Sequence, residues 1–150
     1  MIHIALYQPD IPQNVGAAMR LCACLGLHLD IIEPCGFPWD IKKIRQSGMD
    51  YIEQIDMTRH DSWDSFKKTY ADKRFVLMTT KSSKPYTAFE FQDNDILIAG
   101  RESAGVPKNV HQEIESRITI PMAGKARSLN VINATAMITG EAIRQIGLQK

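Results

Sequence analysis

The chain has 150 residues, a mass of 16.9 kDa and a formal net charge of +1. At about 100–200 residues per domain, this length predicts a single domain over residues 1–150. Apolar residues make up 44% of the chain and charged residues 23%, a composition that excludes bulk disorder. The near-neutral charge gives no general affinity for nucleic acid, so any such site must be a local patch.

The lengths of the apolar runs, the N-terminal residues and the cysteines indicate the compartment in which the protein resides. No apolar run reaches the roughly 20 residues that a membrane span needs. The N-terminal residues lack the basic region of a secretory signal. The three cysteines are an odd, sparse set that favours reduced thiols. We therefore expect a cytoplasmic protein with no membrane partner.

Strand-like apolar runs alternate with helix-like stretches along the chain. Strands are predicted at residues 3–7, 27–32, 51–55, 74–79, 95–99 and 117–120. Helices are predicted at residues 14–25, 40–47, 61–70, 107–114 and 131–146, with Asn14 as a helix cap, Pro107 as a first helical residue and Gly26 ending the first helix. Short joins between them predict the α/β class, with a mainly parallel sheet and helices on both faces.

Ligands of such sheets bind at the carboxyl ends of the strands. Loops 79–86, 100–107 and 121–130 each follow a predicted strand and are rich in Gly, Ser, Lys or Arg. Together they predict a nucleotide-sized pocket. Four cations on these loops can meet phosphate without making the whole chain basic: Lys81, Lys84, Lys125 and Arg127.

Common phosphate and nucleophile motifs do not occur in the sequence. No GxGxxG follows the first strand, and no GxSxG elbow is present. Gly100 and Gly105 have P-loop spacing, but Val106 and Pro107 replace the Lys and Ser/Thr that hold phosphate and magnesium. The sequence therefore disfavours a dinucleotide fold, a P-loop and an acyl-transfer serine.

Metal-ligand spacing is also missing from the linear sequence. The histidines form no HxxxH or HExxH arrangement. His3 and His28 fall in predicted strands, and His60 falls in a predicted loop before a helix. Cys22 and Cys24 are two residues apart on a helix and point to different faces. We expect no metal site.

Three ordered segments carry a resemblance to a known family: IPQNVGAAMRLCACLG, DILIAGRESAGVP and ITIPMAGKARSLNVINATAM. They resemble three motifs of the SPOUT class of RNA methyltransferases, in its SpoU/TrmH branch, which methylates ribose 2′-oxygens. The similarity covers essentially the whole chain. It is closest to small single-domain members, without a separate RNA-binding domain, that methylate the wobble nucleotide of tRNA, a cytidine or modified uridine.

The resemblance implies a deep trefoil knot in the C-terminal part, an exception to the rule that chains do not thread their own loops. It implies S-adenosylmethionine as cofactor, with no metal, and a homodimer that binds the anticodon stem-loop of tRNA. By position, the residues implied to contact the cofactor are Met78, Gly100, Glu102, Gly105, Ile120, Ser128 and Leu129. The residues implied to act in catalysis are Arg20, Asn14, Ser128 and Asn130.

Methyl transfer from a sulfonium to a ribose hydroxyl is an in-line displacement that needs an aligned and activated oxygen. Arg20 is permanently charged and a poor base. By donating to the 2′-oxygen or the neighbouring phosphate it would lower the hydroxyl pKa. The alternatives are a surface arginine paired with a carboxylate and plain helix caps, for Asn14 alone and for Ser128 and Asn130 as a pair.

Other functions remain open on the sequence. The same fold could methylate another tRNA or rRNA site, or serve as a catalytically idle RNA-binding module. Arg101 departs from the family pattern, in which an uncharged residue stands beside Glu102, so the local charge of the pocket is open as well.

Overall fold

The computed structural model describes residues 1–45, 55–124 and 129–147. Its strands are β1 His3–Tyr7, β2 His28–Ile32, β3 Met57–His60, β4 Phe75–Met78, β5 Ile96–Ala99 and β6 Ser116–Ile118. Its α-helices are α1 Pro12–Leu25, α2 Ile41–Arg45, α3 Trp63–Thr69, α4 Lys108–Glu113 and α5 Val131–Ile146, and a 3₁₀ turn covers Tyr86–Ala88.

The strands of the described residues form one parallel sheet in the order β3-β2-β1-β5-β4-β6. β1, β2 and β5 are largely buried because most of their side chains are apolar, as a covered parallel sheet requires, and His28 and Asp30 of β2 are buried polar exceptions. Ile4 and Leu29 pack on the face that carries α1, α2 and α5. Ile98 and Phe66 pack on the face that carries α3 and α4. The α/β class with helices on both faces is confirmed, and the trefoil knot stays a prediction.

Helix α1 begins earlier than predicted. Its first residue is Pro12, and the flanking Ile11 makes no side-chain cap bond. The proline suits this position because its fixed φ fits the helix and its missing N–H is not needed there. The prediction that Asn14 caps the helix is therefore wrong, and Asn14 lies inside the first turn. Gly26 ends the helix with φ of 66°, as predicted.

One further boundary differs from the prediction. Pro107 precedes α4 as its N-terminal flanking residue, with ψ of 157°, and is not the first helical residue. The strand predicted at residues 51–55 falls mostly outside the described residues, since 51–54 are not among them, and Ile55 is not in a strand. Among the described residues, the strand paired with β2 is β3, which was not predicted.

His60 consequently belongs to β3 and not to a loop. Its side chain is buried, and Nε2 lies 2.7 Å from Oδ1 of the buried Asp30. β3 was not predicted because its sequence, MTRH, contains a single apolar residue and lacks the apolar run typical of a buried strand.

Among the described residues, no helix has the length and apolar character needed to cross a membrane.

Candidate active site

A pocket of about 550 Å³ opens at the carboxyl ends of β4, β5 and β6. Its volume lies in the range of small-molecule sites, roughly 300–1,000 Å³. All three loops predicted to bind a ligand contribute to its walls, at residues 79–81, 100–106, 122, 129 and 130. The described parts of these loops therefore meet at one site, as the rule for parallel sheets predicts.

Most of the predicted site residues line this pocket: Asn14, Met78, Gly100, Glu102, Gly105, Ile120, Leu129 and Asn130. Ser128 lies outside the described residues, as do Lys125 and Arg127. Arg20 is exposed on α1 and is not part of the pocket wall of its own chain. Arg20 lies six positions after Asn14. On an α-helix this spacing places the two residues about 9 Å apart along the axis and about 120° apart around it.

The loop after β5 depends on two glycines. A Cβ atom on Gly100 would lie 2.8 Å from both Cα and C of Gly105, closer than real side chains approach a backbone. Gly105 has φ of 63°, in the left-handed region that favours glycine. Arg101 and Gly105 exchange backbone hydrogen bonds of 3.0 and 2.9 Å. The loop is thus a tight, closed turn whose backbone faces the pocket.

Arg101 folds back onto this loop. Its Nε donates to the carbonyl oxygen of Gly105 at 2.9 Å. Its guanidinium carbon lies 5.9 Å from the centroid of the Tyr7 ring. The guanidinium of Arg101 therefore contacts its own loop and the face of an aromatic ring.

Side-chain hydrogen bonds tie the three motif segments together. The Asn14 amide nitrogen donates to Oε1 of Glu102 at 3.0 Å. The Asn130 amide nitrogen lies 3.4 Å from Oδ1 of Asn14. These contacts join the start of α1, the loop after β5 and the start of α5. Asn14, Glu102 and Asn130 therefore form one hydrogen-bonded group in the pocket wall.

Asn130 also caps α5, the alternative role that the sequence left open for it. Its Oδ1 accepts hydrogen bonds from the backbone of Ile132 at 2.9 Å and of Asn133 at 3.3 Å. The cap fixes the side chain, and its amide nitrogen is left to meet Asn14. Capping and site formation are therefore joint roles of this residue.

Asp10 supports the pocket loop through hydrogen bonds, a role that the sequence did not predict. Its backbone N–H donates to Oε2 of Glu102 at 3.0 Å, and its Oδ2 accepts from the Ser103 hydroxyl. Burial, and then the neighbouring Asp10 carboxyl, raise the pKa of Glu102. A side-chain hydrogen bond between the two carboxyl groups, in contrast, lowers the pKa of Asp10. Only its place just before α1 marked Asp10 in the sequence, and nothing there linked it to position 102.

The sequence profile of the SpoU rRNA Methylase family matches residues 1–140. The chain belongs to this family. A relative from Beijerinckia indica named tRNA (cytidine(34)-2′-O)-methyltransferase is 52% identical, over 96% of this chain and 91% of the relative.

Two solved structures of the family resemble the fold closely. One, described as structural insights into the 2-OH methylation of C/U34 on tRNA, is 35% identical with a TM-score of 0.92, over 97% of this chain and 96% of that one. The other is the SpoU methyltransferase AviRb from Streptomyces viridochromogenes in complex with the cofactor AdoMet. It is 25% identical with a TM-score of 0.86, over 97% of this chain and 57% of that one.

Proposed function

We propose that this chain, as a single domain over residues 1–150, transfers the methyl group of S-adenosylmethionine to the ribose 2′-hydroxyl of nucleotide 34 of tRNA. The acceptor is a cytidine or a modified uridine. The observation that carries the proposal is the meeting of the three motif segments at one pocket. The chain is 52% identical to a tRNA (cytidine(34)-2′-O)-methyltransferase over 96% of its length, which supports the choice of nucleotide.

The pocket suits a nucleoside that carries a thioether or sulfonium arm. Apolar side chains of Ile120, Leu129 and Ile138 form part of its wall, and Thr119 and Asn130 add polar groups. The closed turn between Gly100 and Gly105 brings backbone close to the bound molecule without side-chain obstruction. When bound, S-adenosylmethionine supplies an activated methyl group. The residues that would hold it are Met78, Gly100, Glu102, Gly105, Ile120, Ser128 and Leu129.

The chain itself must position the ribose and lower the cost of losing the hydroxyl proton. Asn14 and Asn130 lie at the pocket wall, and each is held by a hydrogen bond, which fixes the amide groups that orient the acceptor. The guanidinium of Arg20 donates to the 2′-oxygen or to the adjacent phosphate and stabilises negative charge that develops on the oxygen. Ser128, which lies outside the described residues, is a further residue that the family motif implies in catalysis.

Arg20 lies outside the pocket of its own chain, and a homodimer explains how it takes part in the reaction. Apolar side chains that are about two-fifths exposed lie near the pocket, at Ile11 on its rim and at Leu129 in its wall. We infer that a second copy covers this region and that Arg20 of one chain serves the pocket of the other. The anticodon stem-loop then binds across both subunits, in the cytoplasm.

Total tRNA from cells with and without this protein tests the function. After nuclease digestion, mass spectrometry maps each 2′-O-methyl mark to its nucleotide. The proposal requires that the mark at position 34 of at least one tRNA disappears when the gene is deleted and returns when it is restored. Loss of a mark at another tRNA or rRNA position would replace the proposed substrate, and an unchanged map would contradict it.

A further inference from the structure

A second group of titratable side chains lies at the amino ends of the strands, whereas the pocket opens at their carboxyl ends. His3 and His28 are the first residues of β1 and β2, and the two strands pair in register at these positions. Asp30 follows two residues later on β2 and therefore lies on the same face as His28. The pocket, in contrast, is formed at the ends where β4 and β5 finish.

The three side chains converge on one point. Nδ1 of His3 lies 3.1 Å from Oδ2 of Asp30, and Nε2 of His28 lies 3.4 Å from Oδ1. One ligand atom from each residue falls within 4.8 Å of the other two. The Asp30 side chain is fully buried, whereas those of His3 and His28 are 19% and 11% exposed. The group is therefore nearly dry and still reachable from solvent past the histidines.

Outer contacts hold these side chains in the orientation that metal ligands need. Nδ1 of His28 lies 2.9 Å from Oδ2 of Asp56, which leaves Nε2 to face Asp30. Oδ1 of Asp30 accepts from the Tyr70 hydroxyl at 2.7 Å and lies 2.7 Å from Nε2 of His60. Metal-binding imidazoles usually donate their second N–H to a carboxylate, and metal-binding carboxylates are usually hydrogen-bonded in turn.

The alternative to a metal is a network closed by protons alone. Thr58 Oγ1 lies 3.0 Å from Nε2 of His28 and would be the partner of that nitrogen in such a network. Two imidazole nitrogens and a carboxylate oxygen from separate residues are, however, the donor set of a common class of three-ligand zinc sites. Motif spacing in the sequence could not reveal the group, because adjacent parallel strands bring positions 3 and 28 together.

We propose that His3, His28 and Asp30 bind one divalent transition-metal ion of the zinc class. Imidazole with carboxylate favours zinc, cobalt or nickel over magnesium and calcium, which prefer oxygen alone. Such an ion joins β1 to β2 at the amino edge of the sheet. Its role is to stabilise the fold, because the methyl-transfer pocket lies at the opposite edge.

Titration of the untagged, chelator-stripped protein with zinc chloride in a calorimeter tests this directly. We expect one ion per chain and a rise in the unfolding temperature on addition of zinc, since a ligand that binds only the folded state stabilises it. His3→Gln and Asp30→Asn should each weaken binding at least tenfold and abolish that rise. His3→Gln decides the matter if Asp30→Asn does not fold, because His3 is partly exposed at the start of its strand.

The control is the double variant Cys24→Ser, Cys35→Ser, which removes one exposed and one half-buried free thiol and should bind zinc as the unmodified chain does. Cobalt should give the visible absorption of a nitrogen- and oxygen-ligated ion in the unmodified chain and in this control, and not in His3→Gln. The proposal is overturned if zinc does not bind, if binding persists in His3→Gln, or if it depends on the cysteines. S-adenosylmethionine affinity should be the same with and without zinc, so this result is separate from the proposed function.

Discussion

The side-chain amide of Asn14 donates a 3.0 Å hydrogen bond to Oε1 of Glu102, across 88 positions of sequence. Parallel pairing of β1 with β5 makes this contact possible, because the chain leaves both strands at the same edge of the sheet. Glu102 also accepts from the backbone of Asp10 at 3.0 Å. One carboxyl group thus fixes the start of α1 against the loop that forms the pocket.

Glu102→Gln should lower the free energy of unfolding by about 1–3 kcal/mol, because a buried donor loses its acceptor. The glutamine side chain keeps one oxygen for two donors and places an NH₂ group against the other. Urea denaturation measures the change. Glu115→Gln is the matched control on an exposed side chain and should stay within about 0.5 kcal/mol of the unmodified protein. Equal stability of the two variants would contradict the role given to Glu102.

Gly100→Ala should weaken S-adenosylmethionine binding at least tenfold, because the new Cβ would lie 2.8 Å from the backbone of Gly105 and force the turn apart. Calorimetry with the cofactor measures this loss. Gly140→Ala is the control, since nothing lies within 4 Å of its added Cβ in the exposed face of α5. That control should keep cofactor affinity and gain up to about 1 kcal/mol of stability from helix propensity. Normal affinity in Gly100→Ala would show that the turn does not shape the site.

Arg20→Ala should slow methyl transfer by at least ~100-fold, about 2.7 kcal/mol of transition-state stabilisation, and leave cofactor affinity and melting temperature nearly unchanged. Arg20→Lys should not restore the rate, because an ammonium group cannot reproduce the planar guanidinium. Lys68→Ala removes one exposed positive charge from α3, on the other face of the sheet, and should keep full activity. Activity that survives in Arg20→Ala, or falls only with the fold or the dimer, would make Arg20 a structural residue.

The cysteines should differ in their reaction with iodoacetamide. Burial raises the pKa of the Cys22 thiol to about 12. Burial, and then the charge of Glu33, raise the pKa of Cys35 to about 11. Since the thiolate is the nucleophile, labelling of Cys35 in a Cys24→Ser background should be slow at pH 7 and rise about tenfold per pH unit below its pKa. Peptide mass spectrometry should find Cys22 unlabelled until the protein is unfolded. Labelling of Cys22 in the folded protein would contradict its burial.

The sequence predicted most of the buried strands because apolar runs bounded by turn residues determine them. Residues 95–99 were predicted as a strand, and β5 is Ile96–Ala99. The last helix was predicted at 131–146 and has those bounds. β3 was not predicted because an edge strand with one apolar residue is held by pairing with β2 and not by its own pattern. The start of α1 differs from the prediction because Pro12 fits the first turn, whereas the cap preference of Asn14 indicated a later start.

The candidate site was predictable only in part. The three loops could be located, because each follows a predicted strand. The contacts of Glu102 with Asp10 and Asn14 could not, since they depend on which strands lie side by side. The group of His3, His28 and Asp30 depends on strand register in the same way. The local sequence pattern therefore predicted most helices and strands. The long-range contacts could not be predicted, because they depend on the order and register of the strands in the sheet.

A single reaction tests whether the protein transfers a methyl group to the ribose of nucleotide 34. The purified protein is incubated with labelled S-adenosylmethionine and tRNA from cells that lack its gene, so that all other modifications are in place. Nuclease mapping then locates the label. We expect one labelled 2′-O-methyl group per acceptor tRNA, on nucleotide 34, and almost none with Arg20→Ala. Label on a base, on another nucleotide, or on no RNA at all would contradict it.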